Sequence, residues 1–259
     1  VSVGALNGAM VAQNKSCQLA EIWAKLTQKD VYKCPSKLRL LWNVIVKGSK
    51  CLYDIAPLRK TIAKHVKLED TVIPFHIGVT SLKTGEYHSL TVEDFDTNED
   101  YLNAIFASSI MPILWEPTSV MTKSGEIQQA VDGGLRNVTP LSDVLDSMPD
   151  HIYIVPCTDG TVLPKYSGNL VKVAERTFMD IMLNEIISND IREFMNINEL
   201  VLQASRNGFV LRKPNGKIYK YFGATVLKPE GKLGSPTDFS TKHIDEAFKK
   251  GYNLAKVNL

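Results

Sequence analysis

The spacing of apolar residues changes at Thr71, and that change restricts the chain to a fold mixing helices with a sheet. Before it, residues 18–28 place Leu19, Ile22, Trp23 and Leu26 on one helical face, and Pro57 fits the first turn of a helix running to about His65. After it, residues 72–82 are β-branched and apolar, as in a buried strand. Thr84-Gly85 then makes a turn, and residues 86–90 return as a second strand. Residues 99–108 read as a helix, 127–131 as a short strand ending at Asp132-Gly133-Gly134, and 151–157 as another strand. A long helical stretch covers 169–202, a hairpin around Pro214-Asn215-Gly216 covers 211–221, and Ser240 caps a last helix. Strands alternating with helices predict an α/β sandwich in one domain over residues 1–259.

Composition narrows the function classes. Of the 259 residues, 44% are hydrophobic, enough for a full core, and 22% are charged, so disorder is not expected. A net charge of +2 without a basic motif argues against a nucleic-acid partner. The four cysteines, Cys17, Cys34, Cys51 and Cys157, lie far apart with no CxxC pair, so free thiols in a reducing, cytoplasmic or membrane-peripheral setting are expected. No apolar run approaches the roughly 20 residues of a spanning helix.

Two short motifs carry chemistry. Val1-Ser2-Val3-Gly4 places a serine among small residues just ahead of an apolar helix. A sharp strand-to-helix turn needs a small residue at Gly4 and leaves the serine hydroxyl at the helix N-terminus, where free N–H groups favour a developing oxyanion. By itself this fragment reads as a plain N-cap. The second motif, Asp132-Gly133-Gly134, ends a strand with a carboxylate under little steric cover; in isolation it reads as an Asp-Gly turn.

Together the motifs resemble those of the patatin-like phospholipases. That family's elbow is G-x-S-x-G, often followed by A-L-N, as in Ser2-Val3-Gly4-Ala5-Leu6-Asn7; its second motif is D-G-G or D-G-A followed by N-x-P, compared here with Asn137 and Pro140. Thr80-Ser81-Leu82-Lys83-Thr84-Gly85-Glu86 is similar to the family's T-D-L-x-T-G-E, with serine for aspartate. Ala107-Ser108-Ser109-Ile110-Met111-Pro112 is similar to A-S-x-A-x-P, and Asp238-Phe239-Ser240 with Gly251-Tyr252 resembles the closing helix.

The resemblance implies a three-layer sandwich around a mostly parallel sheet. It also implies a Ser2–Asp132 dyad that cleaves phospholipid or other acyl esters, with Val3 and Gly4 shaping the oxyanion site and Gly133 and Gly134 supporting the aspartate. No cofactor or metal is implied. The family's glycine-rich G-G-G-x-R-G loop has no counterpart in the chain. The first strands and that loop are therefore expected to precede Val1, and a missing N-terminal segment or a partner chain is expected to complete the oxyanion hole.

Other readings compete. A non-catalytic patatin-like module is the main alternative. His151 or His243, both after Asp132, formally complete a Ser–Asp–His triad, although neither sits in a glycine-flanked loop. Residues 33–50, with Trp42, Leu38, Leu41 and Ile45 among lysines, form either a membrane-touching surface or a packed helix with a basic edge. Arg212, Lys213, Lys217 and Lys220 are expected on a solvated, charged hairpin.

Overall fold

The computed structural model describes residues 1–33, 35–36, 51, 53–161, 173, 176–231, 233–234 and 238–258. The expected surface at 33–50 and Cys34 therefore lie almost wholly outside the described residues, as does the start of the stretch expected at 169–202. The chain divides into two compact units: residues 1–140 with 234–246, and residues 141–233 with 247–259.

The first unit is built on a four-stranded sheet: β1 (Ile77–Ser81), β2 (Tyr87–Leu90), β3 (Thr118–Thr122) and β4 (Gly125–Asp132), in the order β2-β1-β4-β3. Every neighbouring pair is antiparallel, so the mostly parallel central sheet expected from the resemblance is not what this unit contains. The physical reason lies in the connections. Two pairs are joined by tight hairpins, and a hairpin can only return its second strand antiparallel. The β1–β2 turn closes with Gly85 at a φ of 74° and its N–H donating to the Ser81 carbonyl at 2.8 Å. The β3–β4 turn runs through Lys123-Ser124, with the Thr122 hydroxyl donating to the Gly125 carbonyl at 2.8 Å. A bulge shifts the β3–β4 register, and Gln129, with a φ of 51°, occupies the irregular stretch of β4.

Helices cover this sheet. They are α1 (Val3–Ala12), α2 (Ser16–Lys25), the single turn α3 (Gln28–Val31), α4 (Ala56–His65) and α5 (Asn98–Ser108). Thr97 caps α5 by accepting the Asp100 N–H at 3.1 Å. Tyr101, Ala104, Ile105, Ala107 and Ser108 on α5 are completely buried, and the helix packs on β1, β3 and β4. Burial of the Ile105 side chain alone favours folding by roughly 1.5–3 kcal/mol. α3 is held at its start by Thr27, whose N–H and hydroxyl both donate to the Asp30 carboxylate, at 2.9 and 2.6 Å.

Several boundaries differ from expectation. The strand expected at 72–82 begins only at Ile77. Pro74 interrupts the run, Val72 and Ile73 are exposed, and their N–H groups both donate to the Ala12 carbonyl. The strand expected at 127–131 extends to Gly125–Asp132 and gains β3 as an unforeseen partner.

The second unit contains α6 (Leu141–Leu145), β5 (His151–Ile154), α7 (Asn184–Arg206, entered through a π-helical turn at Arg176–Leu183) and β6 (Gly223–Val226). β5 and β6 pair in parallel, with Ile152, Ile154 and Phe194 at the centre of a small core. The strand expected at 151–157 stops at Ile154, shortly before Pro156. The hairpin expected at 211–221 is a turn closed by one bridge, Arg212 to Ile218. A last helix, α8 (Thr241–Asn258), starts one residue after its expected cap, and the Ser240 Oγ accepts the His243 N–H at 3.4 Å. Among the described residues no helix is long and apolar enough to cross a membrane.

Candidate active site

Ser2 sits immediately before α1 with a φ of 56° and ψ of −141°, a region strained for any residue with a side chain. Its side chain does not cap α1, so the plain N-cap reading is not what the structure shows. The strained backbone is held from outside. The Ser2 N–H donates to the Ser108 carbonyl at 3.0 Å and lies 3.2 Å from the Ser108 Oγ. The Ser108 hydroxyl in turn donates to the Gly78 carbonyl at 2.7 Å, joining the end of α5 to β1.

Asp132 is the last residue of β4, opposite Val79 of β1. Its N–H donates to the Ile110 carbonyl at 2.9 Å, just past the end of α5. Its carboxyl is buried and accepts the Gly134 N–H at 2.8 Å, and the neighbouring Ser2 side chain favours its charged form. Burial raises the Asp132 pKa to about 6, against the opposing pull of the Ser2 side chain and the Gly134 N–H. A carboxyl so tuned changes charge near neutrality, as a proton acceptor for a weak nucleophile must.

The glycines around the aspartate are explained by close approach. A Cβ on Gly133 would lie 2.5 Å from the Gly78 carbonyl oxygen, and one on Gly78 would lie 2.5 Å from the Tyr87 hydroxyl and a Val1 methyl. A Cβ on Gly134 would meet the Asp132 Oδ1 at 3.1 Å. Gly4 differs: a Cβ there meets no atom within 4 Å, so the crowding expected at this position does not arise from the described residues. Val3 and Gly4 open α1, and among the described residues no acceptor engages their backbone N–H groups.

The structure thus brings together Ser2, Val3, Gly4, Asp132, Gly133 and Gly134, all within the first unit. The histidines have other surroundings. His151 is hydrogen-bonded to Thr225 at 2.9 Å and rests against Tyr153; His243 lies against Gly234 at the start of α8. Among the described residues, Cys17, Cys51 and Cys157 form no disulfide with one another. Ser81, where the resemblance has aspartate, accepts the Thr84 N–H at 3.3 Å and donates to the Gln128 carbonyl at 2.9 Å, so it braces the β1–β2 turn. Sequence reasoning missed Ser108 as the clamp on Ser2. The only available signal was its place in the Ala107–Pro112 motif, which says nothing about which atom it holds.

The two motifs thus meet in one place, a serine strained at a helix start beside a buried acid. The sequence pattern of the patatin-like phospholipase family matches residues 1–145, and the chain belongs to that family, whose members are generally hydrolases of lipid esters. No curated protein is a significant match to the chain.

Proposed function

We propose that the chain cleaves the carboxylic esters of phospholipids or lysophospholipids, with Ser2 as nucleophile and Asp132 as its base. One observation carries the reading: a strained Ser2 that does not cap its own helix lies beside a buried carboxyl. Ionised Asp132 accepts the Ser2 proton as Oγ attacks the ester carbonyl. The oxyanion that forms is met by the Val3 N–H at the start of α1. Collapse breaks the ester C–O bond, Asp132 returns the proton to the leaving alcohol, and an acyl-Ser2 ester remains. Water, deprotonated by Asp132, then releases the fatty acid and restores the serine.

A second reading is a non-catalytic lipid-binding module. It is favoured by the absence of any triple-glycine segment within the 259 residues. A single oxyanion donor is worth about 10²–10³ in rate, so donors from outside the described residues would matter greatly. The test is hydrolysis of a short-chain chromogenic ester and of a phospholipid. Loss of activity in Ser2→Ala and Asp132→Asn, with activity kept in the double variant His151→Ala, His243→Ala, supports the dyad. A folded chain inert on both substrates overturns it in favour of the module.

A further inference from the structure

In the second unit, the segment after α7 presents apolar side chains and positive charge together. Gly208, with a φ of 77°, ends α7: its N–H donates to the Ser205 carbonyl at 3.1 Å, and the Phe209 N–H donates to the Ala204 carbonyl at 2.9 Å. In this type of helix end the residue at Phe209 normally packs back onto the last turn. Here Phe209 is 70% exposed and Val210 62%. Beyond them, Lys213-Pro214-Asn215-Gly216 forms a tight turn, with the Gly216 N–H donating to the Lys213 carbonyl at 2.8 Å and the Lys213 N–H to the Lys217 carbonyl at 2.7 Å. Ile218 and Tyr221 on the return are also exposed. The far end is clamped by the buried Asn198 of α7, which accepts the Phe222 N–H at 3.0 Å and donates to its carbonyl.

Charge is as one-sided as exposure. Arg206, Arg212, Lys213, Lys217 and Lys220 fall in this stretch, and no Asp or Glu occurs between Glu199 and Glu230. None of these cations takes part in an ion pair among the described residues. A solvated charged hairpin explains the lysines but leaves Phe209 and Val210 in water. A nucleic acid would answer the charge and stack a base on Phe209, but it offers nothing to the aliphatic Val210 and Ile218. An anionic bilayer answers both, since apolar groups enter the acyl boundary while cations meet the headgroups.

We propose that residues 206–221 form a docking element for anionic phospholipid bilayers. The inference stands independently of the hydrolase reading. It is tested with the full chain carrying Ser2→Ala, which prevents lipid turnover, by flotation with phosphatidylcholine vesicles containing or lacking phosphatidylserine. Binding to the anionic vesicles, weakened by salt, is expected. Lys213→Gln with Lys217→Gln should weaken it about 30-fold, at roughly one kcal/mol for each cation near the surface. Phe209→Ser with Val210→Ser should weaken it while leaving the charge unchanged. The four substituted residues, Lys213, Lys217, Phe209 and Val210, are exposed, and an unchanged melting temperature will show that each variant remains folded. No binding to anionic vesicles, binding unaltered in both double variants, or equal binding to soluble polyglutamate would overturn the proposal.

Discussion

The Ser2 amide is held by Ser108, through the Ser108 carbonyl at 3.0 Å and its hydroxyl at 3.2 Å. A residue at the end of α5 thereby keeps a residue 106 positions earlier in a strained backbone conformation. Ser108→Ala leaves the Gly78 carbonyl without its 2.7 Å donor, in a wholly buried position. A stability loss of about 1–3 kcal/mol is expected, together with reduced ester hydrolysis as Ser2 relaxes. Calorimetry and a parallel activity assay check the two effects.

The strain at Ser2 can be read out separately. Ser2→Gly should stabilise the fold by about 1 kcal/mol or more, because glycine adopts this backbone without penalty, whereas Ser2→Ala should not. Both should abolish hydrolysis. Urea unfolding of the two variants beside the parent distinguishes strain from simple loss of the hydroxyl.

The glycines should separate by what a side chain would meet. Gly133→Ala drives a methyl toward the Gly78 backbone, which cannot swing aside, and overpacking of this kind costs typically 1–3 kcal/mol. Gly4→Ala meets nothing within 4 Å and lies in a helix, so it should leave stability unchanged or raise it by up to about 1 kcal/mol. A severe loss in melting temperature at Gly4 would show that the position is crowded after all.

Asp132 sets a pH dependence. With its pKa raised from 3.8 to about 6, the native chain binds more protons than the unfolded chain between those values. Stability therefore falls as pH rises through that window and levels off above about pH 6. Asp132→Asn should remove this contribution and unfold at higher denaturant than the parent at neutral pH. Hydrolysis should show the opposite trend, rising through about pH 6 as the base ionises. Denaturant midpoints and kcat/KM measured across pH 4–8 check both directions.

Much of the local structure was legible because it follows from near-neighbour rules. Thr84-Gly85 turns because Gly85 takes a positive φ; α4 begins at Ala56 with Pro57 in its first turn; Ser240 precedes α8. β3 and β6 were not legible. Thr118–Thr122 and Gly223–Val226 are short and carry few large apolar residues, so only their partners make them strands. The direction of the sheet was likewise hidden, since a strand's apolar pattern does not say which way its neighbour runs.

The two chemical motifs, around Ser2 and Asp132, are properties of the amino-acid order alone: a serine before an apolar helix and an acid at a strand end before two glycines. That these groups meet is a matter of tertiary structure. It required β1 and β4 to pair in one register, α5 to end where Ser108 reaches the Ser2 amide, and bare glycines at 78 and 133 to let the two strands close. Burial then moved the Asp132 carboxyl toward neutrality, because desolvation acts through everything packed around a group, not through its neighbours along the chain.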